Sequence, residues 1–292
     1  MVGGKRGGVY RRGMELTRTS ALLPRVIWRE SSSSTNAELR ELATAAAAAG
    51  TPLPDYTLLL TSDQTAGRGR LDRGWVTPPG QAVAASVLVR GAGAGLDLSW
   101  LPLLVGSAMT TALQRRFGEG MRVGVKWPND VHVRDEEDAI AGRPGLKLCG
   151  ILSELLPDGS VVVGTGLNLL IPEEELPTDR ASSLLAAGVD VGGAVTLFDP
   201  AGAELLDGIL VDYVTALREL LALAAERPDA ARSRIARHSL TLGTEVRVHL
   251  PGNELVDGRA RQLAEDGALI VDLPTGGVLT VSAGDVEHLR SR

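Results

Sequence analysis

The stretch "LKLCGILSELLPDGSVVVGTGLNL", residues 146–169, constrains the fold more than any other part of the chain. Two apolar runs flank Pro157, Asp158 and Gly159. Proline pre-sets its own φ, aspartate hydrogen-bonds nearby backbone and glycine accepts positive φ, so these three residues predict a tight turn. The two runs therefore predict a long antiparallel hairpin in the middle of the chain.

Other segments read as partners for that hairpin. "STNAELRELATAAAAAG" predicts a helix of three to four turns, with a capping box at Thr35 and Glu38 and Gly50 as its stop. "DYTLLLTSDQ" and "QAVAASVLVR" predict two strands on either side of an arginine-rich loop. "WLPLLVGSAMTTALQRRFG" has apolar residues at helical spacing, Pro102 near its start and Gly118 just past its end, so a core helix is expected there. "MRVGVKW" predicts a strand running into a turn at "PNDV", and the charged, breaker-rich "RDEEDAIAGRPG" predicts a mobile surface loop. "AELLDGILVDYVTALRELLALAAE" is an amphipathic helix pattern, broken at Arg227, Pro228 and Asp229 and followed by a short helix to about Arg237.

After His238 the pattern changes to short strands, "TEVRVHL", "LVDGRARQLA", "ALIVDL" and "GVLTVSAG", which predict a small antiparallel barrel. The expected fold is α+β: a mixed, mainly antiparallel sheet backed by helices, then the barrel. With 292 residues and 44% hydrophobic content the chain can bury a core as one large or two smaller domains. The expected division is an irregular tail at 1–20, a catalytic unit at 21–238 and the barrel at 239–292.

Charge and cysteine content narrow the setting. A formal net charge of -6 argues against a general nucleic-acid surface, so any anion site must be local. The single cysteine, Cys149, excludes an internal disulfide and fits a reducing compartment, and the cytoplasm is expected. The basic N-terminus lacks the apolar stretch of a signal peptide, and no run of 18 apolar residues suggests a membrane span. Met14 is an alternative expected start.

Four features carry chemistry. In "GRGRLDRGW", Gly67, Gly69 and Gly74 allow backbone amides close to an anion, and Arg68, Arg70 and Arg73 can fork onto carboxylate or phosphate oxygens. The same loop also fits a solvated turn. In "KWPND", Lys126 offers charge to a phosphate and Asp130 a hard oxygen for Mg²⁺, while an Asx turn with Trp127 in the core explains the pattern equally well. Lys147 enters an apolar strand and either snorkels to the surface or neutralises charge in a site. By simple alternation Cys149 shares its face, as a packed small hydrophobe. "SSSSTN" at 31–36 caps a helix and can also hydrogen-bond a small polar ligand. No Walker A or dinucleotide-binding glycine pattern occurs at the expected place, and His132, His238, His249 and His288 are too scattered for a metal site.

Taken together and in order, "STN", "DQTAGRGRLDRGW", "KWPNDV", "KLCGILSE" and "GTGLNL" resemble the biotin protein ligase family, over roughly Leu23 to Arg292. The resemblance implies a class II synthetase-like sheet with an SH3-like C-terminal barrel. It implies formation of biotinyl-5'-adenylate from biotin and ATP with Mg²⁺, then transfer of biotin to one lysine of the biotin carboxyl carrier domain of an acyl-CoA carboxylase. It implies no nucleic-acid or membrane partner, and a monomer or weak homodimer.

Carried over by motif, Ser34, Thr35, Asn36 and Gln64 are expected at the biotin ureido head, with Gly150 also against biotin. Gly67, Arg68, Gly69 and Arg70 are expected on the carboxylate and then the adenylate phosphate, with Arg73 nearby and Trp75 as a cover. Lys147 and Arg70 are the expected catalytic cations. Lys126, Asn129 and Asp130 are expected to serve ATP, Asp130 as the Mg²⁺ ligand, and Asn168 the nucleotide end. Two stretches depart from the family pattern: 134–145 is longer and more charged, and Leu71 and Asp72 replace a more cationic loop. The short segment before "STN" leaves no room for a winged helix-turn-helix, so a monofunctional ligase is expected. A lipoate protein ligase and a non-catalytic biotin or nucleotide sensor are the competing readings; retention of Lys147 and the arginines favours the enzyme.

Overall fold

The computed structural model describes residues 14–70, 73–250, 254–282 and 285–289. Leu71, Asp72 and the first thirteen residues of the expected tail lie outside the described residues.

The first unit contains helices α1 (Thr17–Leu22), α2 (Thr35–Ala48), α3 (Leu101–Gln114), α4 (Glu136–Ile140), α5 (Pro200–Glu226) and α6 (Pro228–Arg237). Its strands are β1 (Val26–Arg29), β2 (Leu58–Thr61), β3 (Gln64–Arg68), β4 (Gly74–Thr77), β5 (Ala82–Val89), β6 (Arg122–Lys126), β7 (Asp130–Arg134), β8 (Leu146–Leu155) and β9 (Val161–Asn168). Seven of them form one sheet in the order β1-β2-β5-β9-β8-β7-β6. Only β1 and β2 pair in parallel; the other pairs are antiparallel, with the β8–β9 hairpin inside the sheet as its turn chemistry predicts.

Alternation along β5 explains the layers. Val83, Ala85, Val87 and Val89 point into the main core with Leu104 and Met109 of α3 and Tyr213 and Leu217 of α5. Leu88 points the other way, with Leu59 and Val162, against Leu39 and Ala43 of α2. Helix α2 covers only part of that second face, and the remainder carries the site.

Several local expectations change. The N-cap of α2 is Ser34, whose Oγ accepts from the Ala37 amide at 3.4 Å, not Thr35. Glu38 does not complete a capping box; it pairs with Arg29 and accepts from Ser32 Oγ at 2.9 Å. The arginine loop is not a simple link between two strands but the tip of a separate two-stranded ribbon, β3–β4. "PNDV" turns at once into strand β7, and the expected mobile loop holds α4, capped by Asp135 Oδ1 on the Asp138 amide at 2.7 Å.

The expected irregular tail does not extend to residue 20. Helix α1 docks on α5 through the buried Asp207 carboxylate, which accepts from the amides of Arg18 and Thr19 at 2.9 and 2.8 Å and from Thr19 Oγ1 at 2.6 Å. Burial opposes ionisation of Asp207, but these donors hold its carboxyl below the usual range. The contact spans 188 residues of chain, so no local pattern announces it.

The second unit is all-β: β10 (Glu245–His249), β11 (Leu255–Leu263), β12 (Leu269–Asp272), β13 (Val278–Val281) and β14 (Asp285–His288). The small antiparallel barrel expected here takes the form of a five-stranded antiparallel sheet in the order β13-β12-β11-β10-β14.

Candidate active site

The site floor is a patch of small residues that strand register brings side by side. Ala84 of β5 lies opposite Gly166 of β9, Gly166 opposite Gly150 of β8, and Gly150 opposite Asp130 of β7. The next row holds Ser86, Gly164 and Leu152. Side chains on the three glycines would fill the space: a Cβ on Gly164 would overlap the Asn36 amide and one on Gly166 the Trp75 indole. One on Gly150 would lie 3.0 Å from Trp75 and 3.2 Å from Lys147 Nζ. Glycine inside a buried strand weakens it, and here the compensation is a cavity of about 150 Å³.

One end of this cavity is neutral and rich in hydrogen bonds. Ser86 Oγ lies 2.7 Å from Asn36 Oδ1 and 2.8 Å from Thr35 Oγ1. The Thr35 amide donates to Gln64 Oε1 at 2.9 Å, and Asn36 Nδ2 donates to Leu152 O at 3.1 Å. Thr35, Asn36 and Ser86 are buried, so this network is fixed before any ligand arrives. Ser86 was missed at the sequence level, although a serine within the otherwise apolar "AVAASVLV" was the available signal.

The other end is charged. Lys147 Nζ sits 2.8 Å from Asp130 Oδ1, and His132 Nε2 lies 4.0 Å from Asp130 Oδ2. Burial opposes charge on Asp130, yet His132 and the Lys147 ammonium hold its carboxyl well below the usual carboxylate range. Burial pushes the His132 imidazole below its ordinary value, and its Nδ1 lies 3.2 Å from Gly145 O. Arg70 Nη1 donates to Asn129 Oδ1 at 3.2 Å, and Asn129 Nδ2 donates to Ile151 O at 2.7 Å. The Lys147 ammonium lies 5.4 Å from the centre of the Trp75 ring, whose buried Nε1 has no partner.

A β-bulge aims Lys147. Val131 pairs with Cys149 but His132 pairs with Lys147, so Leu148 is an extra residue. The bulge puts Lys147 on the cavity side with Gly150 and sends Leu148 and Cys149 into the core, contrary to the shared face expected for Lys147 and Cys149. Burial pushes the Cys149 thiol up to about 12, in keeping with a packing role.

Of the sequence-derived candidates, Ser34, Thr35, Asn36, Gln64, Arg68, Gly69, Arg70, Arg73, Trp75, Asn129, Asp130, Lys147 and Gly150 line this one cavity. Three do not. Gly67 pairs with Trp75 in the ribbon and makes room for its backbone. Lys126 pairs with Asp130 across β6 and β7 but is outside the lining. Asn168 is buried outside the lining, with Nδ2 donating to Ser182 O at 2.9 Å. Among the described residues no group of three or more His, Cys, Asp or Glu side chains could hold a metal ion.

The Biotin/lipoate A/B protein ligase family matches residues 34–168, and the Biotin protein ligase C terminal domain matches residues 241–289. A biotin–acetyl-CoA-carboxylase ligase of Mycobacterium tuberculosis is 37% identical over 263 residues, 88% of this chain and 86% of that protein. The chain belongs to the biotin protein ligase family. The enzyme is also 26% identical, over 278 residues, to the bifunctional ligase/repressor BirA of Bacillus subtilis, covering 92% of this chain and 76% of that one. A solved biotin protein ligase from Aquifex aeolicus, in complex with biotin and ATP, matches with a TM-score of 0.65 and 25% identity over 92% of this chain and 100% of its own. No helix among the described residues of the ligase is long and apolar enough to cross a membrane.

Proposed function

We propose that this ligase makes biotinyl-5'-adenylate from biotin and ATP and transfers biotin to a lysine of the biotin carboxyl carrier domain of an acyl-CoA carboxylase. The observation that carries the reading is the polarity of the cavity: neutral hydrogen-bonding groups at Thr35, Asn36 and Gln64, with Ser86 buried behind them, and Arg70 and Lys147 at the other end. Biotin has the same polarity, a neutral ureido ring at one end and a carboxylate at the other. The glycine floor leaves room for its fused rings.

In the first step a biotin carboxylate oxygen bonds to the α-phosphorus of ATP as the bond to the β-phosphate oxygen breaks, releasing pyrophosphate. Two anions must meet, so the step needs cations between them. Arg70 and Lys147 supply them, with Arg68 and Arg73 at the rim and Trp75 excluding water. An ionised Asp130 with the Asn129 amide beside it fits the Mg²⁺ that accompanies ATP, since that ion usually takes one or two carboxylates plus phosphate oxygens. When bound, the ion would neutralise phosphate charge. In the second step the neutral carrier amine attacks the acyl carbon, AMP leaves, and the new amide sheds its extra proton to water.

The test is intact-mass spectrometry of a biotin carboxyl carrier domain incubated with the ligase, biotin and Mg·ATP. A single biotin adduct, lost when the acceptor lysine is replaced by arginine, is expected. No adduct with biotin, or an adduct with lipoate instead, contradicts the reading.

A further inference from the structure

The second unit meets the first through several contacts, and those at the turn between β11 and β12 reach the adenylation machinery. The turn between β11 and β12 is caught between two tryptophans. Trp100, in the 3₁₀ turn Leu98–Trp100 that leads into α3, donates Nε1–H to Glu265 O at 2.8 Å. The adjacent Ser99 hydroxyl donates to Asp266 O, and Arg232 Nη2 donates to Glu265 O at 3.4 Å from above the Trp100 ring. Gly267, at φ +79°, lies against that ring: a Cβ there would sit 3.4 Å from it. The Gly267 carbonyl in turn accepts from Trp127 Nε1 at 3.2 Å, and the Trp127 amide donates to Thr241 Oγ1 at 3.0 Å.

Trp127 is buried, and two residues on Asn129 accepts from Arg70. Arg70, Asn129, Trp127, Ser99, Asp266 and Gly267 also border one cavity of about 250 Å³ that adjoins the biotin cavity. Hydrogen bonds thus run from Trp100 through the turn to Trp127, the main chain carries on through Pro128 to Asn129, and Asn129 ends on the guanidinium.

We propose that Trp100 is a positioning residue: by holding the Glu265–Gly267 turn against Trp127 it fixes Asn129, and through Asn129 the direction of Arg70. The inference rests on the adenylation reading of the site. Trp100 touches no substrate, and the Thr35–Asn36–Gln64 end of the cavity makes none of these contacts. Its loss therefore acts through Arg70 and leaves the ureido end of the cavity alone.

The experiment is biotin-dependent exchange of labelled pyrophosphate into ATP, in a double-mutant cycle of Trp100→Phe and Arg70→Ala on the full chain. Phenylalanine keeps an aromatic ring but removes the N–H and part of the indole that packs on Gly267, so a fall in kcat of at least about fivefold is expected, the loss of one hydrogen bond setting the lower end. The KM for biotin should move no further than it does in Arg70→Ala, and Trp100→Phe should have no further effect once Arg70 is alanine. Should Trp100→Phe fail to fold, Trp127→Phe removes the next link and enters the same cycle. Equal losses with and without Arg70, or a change confined to melting temperature, overturn the positioning role while wild-type exchange is intact. Absence of exchange in the wild type itself overturns the adenylation reading instead.

Discussion

Lys147 Nζ lies 2.8 Å from Asp130 Oδ1, brought there by one extra residue, Leu148, in strand β8. The pair joins the proposed adenylation cation to the proposed Mg²⁺·ATP ligand, and both side chains are less than one-third exposed. Replacing Lys147 by alanine should lower kcat for adenylation by about 10²–10³, the range for losing one preorganised transition-state donor, with the circular dichroism spectrum unchanged. Steady-state exchange kinetics check this; a wild-type rate would move the catalytic role to another cation.

The glycine floor predicts a size-selective defect. Gly164→Ala puts a methyl group on the Asn36 amide, so the KM for biotin should rise by at least about tenfold, the order expected when a small group overpacks a tight site. Gly118→Ala, which meets nothing within 4 Å, serves as the control and should leave the KM unchanged. Equal biotin affinities in the two variants would show that the cavity over β9 does not hold the ring.

The neighbouring histidines predict an acid-sensitive fold. Burial, with the charges of Lys126, His132 and Arg134, pushes the His288 imidazole down to about 3. The unfolded chain takes up a proton near pH 6.5 that the folded chain refuses until about pH 3. The stability is therefore full above pH 6.5 and is lost as pH falls through that window, with a slope of at most about 1.4 kcal/mol per pH unit for each such group. His132 and His238 are shifted in the same direction by burial and add to the effect. Melting temperatures from pH 8 to pH 4 should fall, and less steeply in His288→Gln, which puts a non-titrating amide in place of the imidazole whose Nε2 lies 3.1 Å from Thr241 Oγ1. Parallel curves for the two proteins would remove His288 from the explanation.

Cys149 should be chemically silent in the folded enzyme. Its thiol is fully buried in the core and pushed up to about 12, so little thiolate exists at pH 8. Iodoacetamide should leave it unmodified in native buffer and alkylate it fully in denaturant, as read by intact mass. Rapid native alkylation with loss of activity would place the thiol in the site after all.

What the sequence reveals here is what local chemistry decides. The β8–β9 hairpin follows from Pro157, Asp158 and Gly159, and α2, α3, α5 and α6 follow from period and stop signals. The motif residues that converge on the cavity were also legible, the arginines, Lys147 and Asp130 from their charge and Gln64, Trp75, Asn129 and Gly150 only through the resemblance to the family. Choices set by distant partners were not. Thr35 and Ser34 are equally good caps in a string of residues, and only the Ser86 and Gln64 contacts divert Thr35 to the cavity. The Leu148 bulge leaves no mark in the apolar pattern of β8, yet it decides where Lys147 points. Docking of α1 depends on Asp207, a carboxylate that reads as an exposed helix residue until Thr19 is folded onto it.

The central claim is that this cavity joins biotin to ATP, and the most direct measurement is exchange of labelled pyrophosphate into ATP by the purified full chain with Mg²⁺. Exchange that requires biotin, and that Lys147→Ala and Arg70→Ala each suppress, is the predicted result. Folded protein that exchanges no label with biotin present, or exchanges equally without it, would contradict the account.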